Sequence, residues 1–346
     1  MSRRGILSLI TLFLLILVLY FARHEIYIAW KLISHVNVWI LALLIPMQAF
    51  VYFAAGEMMF EYLRAKNALK NVSRFTLTRM ALELNFVNHI LPSGGVSGIS
   101  YMTWRLGKYG VSPGRATMSQ IVRYVAGFLA FLTLLLISVV LITLDSGVDR
   151  FIILVSSVLA STIVCFMIFG IYILSSSLRL EGFARWSTRA INSSVRRLTF
   201  GKKKHTVDLS KVQQFFSDIH KDYIELRADK GLLLKPYLWG ILYNAADVGL
   251  FMIGFWALGY SVNPAAIVIA YGIASIAGFI VITPGGAGAY EAIMIAFLGT
   301  AGLPAGVVIA GVLLTRVILL LGTVISGYFF YQLTILKYGK TPVKSQ

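Results

Sequence analysis

Two stretches decide the reading of this chain: Leu91-Pro92-Ser93-Gly94-Gly95-Val96-Ser97-Gly98 and Thr283-Pro284-Gly285-Gly286-Ala287-Gly288. They lie about 192 residues apart, and the residues downstream of each are repeated as well. Tyr101, Gly110-Val111-Ser112-Pro113-Gly114 and Arg123 come after the first; Tyr290, Gly302-Leu303-Pro304-Ala305-Gly306 and Arg316 come after the second. Pro92 to Arg123 is 31 residues and Pro284 to Arg316 is 32, so the order and nearly the spacing recur. Chance supplies any one of these matches, but not the whole series in order.

The surroundings of both clusters are apolar. The 346-residue chain is 58% hydrophobic and 13% charged, with a mean hydropathy of +0.81, whereas a soluble domain is about half apolar and about a quarter charged. This is the composition of an integral membrane protein, read here as one domain over 1–346. Long apolar runs lie at about 5–22, 36–60, 115–144, 151–174, 236–259 and 304–333, on the scale of a hydrocarbon core of about 30 Å. The first also has the outline of a signal peptide, but Phe21-Ala22-Arg23-His24-Glu25 lacks a small-x-small cleavage pattern, so a retained span is expected. Two shorter runs, 75–91 and 265–282, each stop at a Pro-Gly cluster.

Charge orients these spans. Lys and Arg number 31 against 14 Asp and Glu, a net +17, which suits either nucleic acid or an anionic membrane surface. With the N-terminus inside, only Arg23, Lys31 and Arg150 fall in external loops, and 26 cations fall on the cytoplasmic side. Retained cations mark that side, so a multi-pass cell-membrane protein with both termini cytoplasmic is predicted. The segment 178–235 carries 13 of the cations against 6 acids. No zinc finger, aromatic RNA-binding motif or dimeric basic helix accompanies them, so nucleic acid is not an expected partner. Val212, Phe215, Phe216 and Ile219 have the spacing of an interfacial helix lying against anionic headgroups; an ordinary solvated loop is the other reading. Cys165 is the single cysteine and the five histidines are scattered. An internal disulfide is excluded and no metal cluster or cofactor is expected.

The Pro-Gly clusters interrupt segments short for a full crossing, which predicts two re-entrant hairpins. The first enters from the cytoplasmic side after Arg74 and Arg79 and returns near Arg105 and Lys108; the second starts near Ser261–Pro264 outside and returns near Gly302. The segment 265–282 is long enough for a nearly full crossing, so a spanning alternative stays open there. The predicted fold is an all-α polytopic bundle of two inverted repeats, 36–144 and 236–333. Broken helices in inverted repeats characterise transporters, whose sites lie at the repeat interface.

Non-helical backbone at membrane depth must line protein or a wet cavity. Gly94, Gly95, Gly285, Gly286 and Gly288 permit the turns and a close approach to the backbone. A half-helix starting just after Gly95 or Gly286, with Tyr290 beside it, directs N–H groups toward an anion such as a lipid phosphate; packing turns are the plain alternative. Arg123 and Arg316 lie 10 and 12 residues after Pro113 and Pro304, near mid-depth. A guanidinium there costs about 2.5–3.5 kcal/mol, so it faces water or a partner, and it grips phosphate bidentately. Arg316 has no charged neighbour between Glu291 and Lys337; Arg123 is near enough to Arg115 to snorkel. Asp247, Glu291 and Glu83 are the candidate ion-pair or coupling carboxylates, with Asn244 and His89 nearby in sequence and Glu57 read as interfacial.

With both clusters read, the chain resembles the lysylphosphatidylglycerol synthase transmembrane-region family, also called flippase-like. The resemblance is carried by Asn88-His89-Ile90-Leu91-Pro92-Ser93-Gly94-Gly95 with Gly110-Val111 and Arg123, and by Thr283-Pro284-Gly285-Gly286-Ala287-Gly288-Ala289-Tyr290-Glu291 with Gly302-Leu303-Pro304 and Arg316. In the bacterial multiple peptide resistance factor, a similar region is fused to a soluble aminoacyltransferase domain and is assigned the flipping of aminoacylated phosphatidylglycerol. Stand-alone relatives are associated with other lipids, including hopanoids and glycan-linked polyprenols. Only ten residues come after Leu336 here, so the transferase activity is not expected to carry over. The resemblance implies movement of an anionic phospholipid or related polar-headed lipid between leaflets. The alternative is an accessory subunit that docks a soluble lipid-modifying enzyme through 178–235. An intramembrane transferase is disfavoured, since no nucleophile and base pair is evident.

Overall fold

The computed structural model describes residues 23–33, 36–91, 96–146, 150–198, 208–280, 288–300 and 303–338, with five isolated positions between 12 and 20. No strand occurs among them. The expected span at 5–22 lies largely outside the described residues. After α1 (Arg23–Ile33), the first repeat comprises α2 (Val38–Ala65), α3 (Arg74–Ile90), α4 (Val96–Gly107) and α5 (Pro113–Ser146). Helix α2 is a single span with a turn at Leu43. Then come α6 (Arg150–Leu174), α7 (Ser177–Leu198) and α8 (Leu209–Ala228), and the second repeat of α9 (Gly231–Ala257), α10 (Pro264–Ile280), α11 (Ala289–Thr300) and α12 (Ala305–Tyr338). Five of these, α2, α5, α6, α9 and α12, are long and apolar enough to cross a membrane. This is a polytopic helical membrane protein.

The internal repeat is visible in helix lengths. The first repeat runs 28, 17, 12 and 34 residues and the second 27, 17, 12 and 34. At about 1.5 Å per residue the middle helices reach about 25 and 18 Å, short of about 30 Å of hydrocarbon. Each pair folds back on itself. In hairpin 1, Leu77 and Met80 of α3 share a core with Met102 and Leu106 of α4, while Gly98 N–H donates to Asn88 Oδ1 (3.0 Å) near the tip. In hairpin 2, Ala265 and Ile269 of α10 share a core with Phe297 and Leu298 of α11. Both ends of each hairpin therefore lie on one side of the bundle, and α10 is shorter than the five crossing helices, as a re-entrant arm is.

Inversion is evident from α2 and α9, the most extensively packed pair. Asn37 N–H, just before α2, donates to the carbonyl of Ala257 at the end of α9 (2.8 Å), so the leading helices of the two repeats are antiparallel. The hairpins are exchanged: α3 packs on α12 of the other repeat, and α10 packs on α5. Each repeat thus completes the apolar face of the other. Helix α12 also approaches α9 closely, because a Cβ on Gly254 would collide with Thr315 Oγ1. That approach brings the residue after Thr315, Arg316, alongside α9.

The basic segment departs from its expectation. Phe215, Phe216 and Ile219 do lie on one helical face, but that face packs on the protein core with Met59, Tyr62 and Leu63, where Ile219 is buried. The segment there is a helix packed on protein and not a solvated loop. Asp222 pairs with Arg115 of α5 (3.3 Å) and Glu225 with Lys66, pinning α8 to the bundle. The Lys66 ammonium holds the exposed Glu225 carboxyl below its usual range. Glu57 is buried and paired with Arg64, which also binds Glu61 (2.9 Å), so it is an internal ion-pair partner at the α8 end of α2. Helix α1, expected as external loop, packs against α12 through Ile26.

The antiparallel α2–α9 contact sets an expected outcome. With Cys165→Ser, the pair Asn37→Cys and Ala257→Cys should form an intramolecular disulfide on mild oxidation, detected by retained linkage after proteolysis between them. Parallel leading helices would put these positions on opposite faces and give no cross-link.

Candidate functional site

The centre forms where the tip of hairpin 2 meets α12. Gly288 precedes α11 with φ of +88°, a left-handed turn that a side chain strains by about 1–2 kcal/mol. Its N–H donates to Glu291 Oε2 (2.7 Å). Glu291 is the third residue of α11, where a carboxylate reaching back to the residue before the helix forms half of a capping box and meets the positive end of the helix dipole. Its other oxygen, Oε1, accepts from Arg316 Nε (2.8 Å). The capping and charge-pairing readings of Glu291 are therefore both satisfied by one carboxylate. Arg316 lies about 17 Å along α12, and its guanidinium sits 4.2 Å from the Tyr290 ring centroid.

A second carboxylate faces the same region from α9. Tyr271 OH donates to Asp247 Oδ2 (2.6 Å), and Tyr243, one turn before Asp247, lies beside it. Tyr290 stacks on Phe251 (6.3 Å between centroids) and meets Tyr271 edge-on (6.5 Å). Arg316 lies within electrostatic reach of Asp247 and also of His89 at the end of α3. His89 Nδ1–H donates to the Asn85 carbonyl (2.8 Å), which leaves Nε2 as an acceptor. The end of α3 and the start of α11 thus both come within electrostatic reach of Arg316. Its side chain keeps 22% of its surface exposed and Glu291 keeps 14%.

The remaining candidates separate. Gly94, Gly95, Gly285 and Gly286 lie outside the described residues. Arg123 is the eleventh residue of α5 and Arg316 the twelfth of α12, so in equal-length helices they differ by about 100° of rotation. Among the described residues Arg123 makes no hydrogen bond or ion pair; it lies 4.9 Å from the Tyr124 ring and within electrostatic reach of Tyr243. Asn244 braces helices, donating to the carbonyls of Gly127 (3.2 Å) and Gly240 (2.8 Å). Glu83 and Tyr101 belong to another cluster, toward the α8 side of hairpin 1. Among the described residues no group of three His, Cys, Asp or Glu is placed to hold a metal.

Sequence reading missed Tyr243 and Tyr271, although Tyr243 and Asp247 stand at a helical i, i+4 spacing. It also missed Gln48, whose Nε2 donates to the Leu319 carbonyl (2.7 Å) and ties α2 to α12 close to Arg316. A family model described as the lysylphosphatidylglycerol synthase TM region matches residues 5–327. The chain belongs to this family. Neither the curated proteins nor the solved structures contain a match to it. The family match spans both hairpins and all five crossing helices almost to the end of α12, so the Arg316 centre lies wholly within the family's region.

Glu291→Ala should destabilise the protein by about 3 kcal/mol, because it removes the carboxylate paired with a largely buried guanidinium. Glu291→Leu with Arg316→Met should cost clearly less than Glu291→Ala, since apolar replacement of a buried pair is often neutral. Thermal unfolding of the purified variants measures both; a double variant destabilised at least as much as Glu291→Ala would show that the two residues do not act as a pair.

Proposed function

We propose that this member of the family is a lipid transporter that moves an anionic phospholipid, or a related polar-headed lipid, between the leaflets of the cell membrane. The observation that carries the reading is Arg316: a partly exposed guanidinium in the middle of a crossing helix, paired with Glu291 at the start of α11. The headgroup phosphate would engage Arg316, with Arg123 on the neighbouring side, while the acyl tails stay in the surrounding lipid. Phosphate binding competes with Glu291 for the same guanidinium, because both offer oxygen pairs to its N–H donors. A headgroup that displaces Glu291 also weakens the cap on Gly288, so occupancy and the conformation of hairpin 2 are linked in this scheme. Asp247, beside Tyr243 and Tyr271, is the carboxylate suited to carry a coupling proton. In this reading the chain is a transporter and not a transferase, with the α7 and α8 side and both termini cytoplasmic.

Fluorescent-lipid translocation in proteoliposomes tests the assignment. Wild-type protein should move a labelled phosphatidylglycerol analogue, and Arg316→Ala should slow it by about tenfold or more, the loss of one charged hydrogen-bonded contact of about 1.5–3 kcal/mol. Unaltered movement by Arg316→Ala and Arg123→Ala together would remove the site assignment. No movement by wild type, together with partner co-purification that depends on 178–235, would favour the accessory-subunit reading.

A further inference from the structure

A second buried charge cluster lies between hairpin 1 and α12, toward the α8 side. Glu83 on α3 is fully buried, and its carboxylate accepts from Arg79 Nε (2.8 Å), Tyr101 OH (2.7 Å) and Thr334 OH (2.6 Å). A carboxylate has about four lone-pair sites, so three of these are taken. Arg79 is served further by the Phe330 carbonyl (3.0 Å) and Thr334 Oγ1 (2.8 Å). Arg105, in the last turn of α4, is 2% exposed. Its Nε stands 3.5 Å from Glu83 Oε2, and neither Nε nor Nη1 has a hydrogen-bond acceptor among the described residues. Two arginines therefore share one largely committed carboxylate. The Tyr338 and Tyr109 rings lie 4.5 and 5.4 Å from the Arg105 guanidinium carbon. Such faces attract a cation, and the two hydroxyls also hydrogen-bond the Arg105 side chain, but Nε and Nη1 still have no acceptor among the described residues.

A buried guanidinium with unused donors and incomplete charge compensation is costly, and an anion with several oxygens relieves both deficits. Lys337 lies over the same Tyr338 ring, and Lys108 over that of Trp104, the residue before Arg105. We propose that Arg105, backed by Arg79 and flanked by Lys108 and Lys337, forms a binding site for a phosphate-type anion, distinct from the Arg316 centre. Guanidinium and phosphate match bidentately. The anion is the phosphate of a lipid headgroup or free phosphate, and the site stands whether or not the protein moves lipid. Glu83 competes with the ligand for Arg105, so removing its charge should strengthen binding.

Thermal unfolding of the full chain carrying Arg316→Gln, which removes the other candidate site, tests this with three probes: inorganic phosphate, short-chain phosphatidylglycerol, and short-chain diacylglycerol as the phosphate-free control. A concentration-dependent rise in Tm is expected with phosphatidylglycerol and none with diacylglycerol. A rise with inorganic phosphate as well identifies the free anion as sufficient; a rise with phosphatidylglycerol alone identifies the lipid. Adding Arg105→Gln should weaken the apparent affinity at least tenfold. Where that variant does not fold, Arg105→Lys should bind more weakly than the parent and Glu83→Gln more tightly. The proposal is overturned by no rise with either phosphate probe, by a rise that Arg105→Gln leaves unchanged, or by equal affinities in Arg105→Lys and Glu83→Gln.

Discussion

One carboxylate on hairpin 2 meets two demands that a bilayer imposes. Backbone interrupted at membrane depth needs hydrogen-bond partners inside the protein, and an arginine at that depth needs compensation. Glu291 supplies both, accepting the Gly288 N–H with one oxygen and Arg316 Nε with the other. The turn of a re-entrant hairpin is thereby fastened to a crossing helix. Hairpin 1 solves the backbone problem without charge, since the Asn88 amide oxygen accepts the Gly98 N–H. Among the described residues the start of α11 binds an arginine of the long helix next in the chain, and the start of α4 does not.

That difference separates a symmetric scaffold from an asymmetric function. The exchanged hairpins and matching helix lengths are shared by both halves, while the polar residues around Arg316 come almost entirely from the second. Gly254 permits the close α9–α12 approach, and Asp247, Tyr271, Tyr290 and Glu291 then surround one side of the guanidinium. Hairpin 1 instead concentrates its charge nearer the α8 side, around Glu83. A headgroup passing between leaflets would meet cationic groups at two depths.

Much of the fold was legible in the sequence, because the bilayer makes composition and length strict. The two Pro-Gly clusters, their matching sequels and the short runs before them predicted the paired hairpins and their inversion. Arg316 and Glu291 were legible as well, since charge inside an apolar run has few explanations. The partners were harder to read. Tyr243 and Tyr271 look like ordinary membrane aromatics until the fold places them beside Asp247. Arg123 shares the spacing of Arg316 to within a residue or two, yet one residue turns a helical side chain by about 100°. The stripe of Phe215, Phe216 and Ile219 has the periodicity of an interfacial helix, and periodicity alone does not say whether lipid or protein covers an apolar face.

The central claim is that Arg316, fixed by Glu291 at the start of α11, holds the headgroup of a phospholipid. Native mass spectrometry of protein released from membranes tests it most directly, because the bound lipid identifies itself without any assumption about transport. With Arg105→Gln in both proteins to silence the second site, the protein that keeps Arg316 is expected to retain a phosphate-bearing lipid that Arg316→Gln loses while remaining folded. Equal retention by both proteins, or retention only of lipids without phosphate, would contradict the claim.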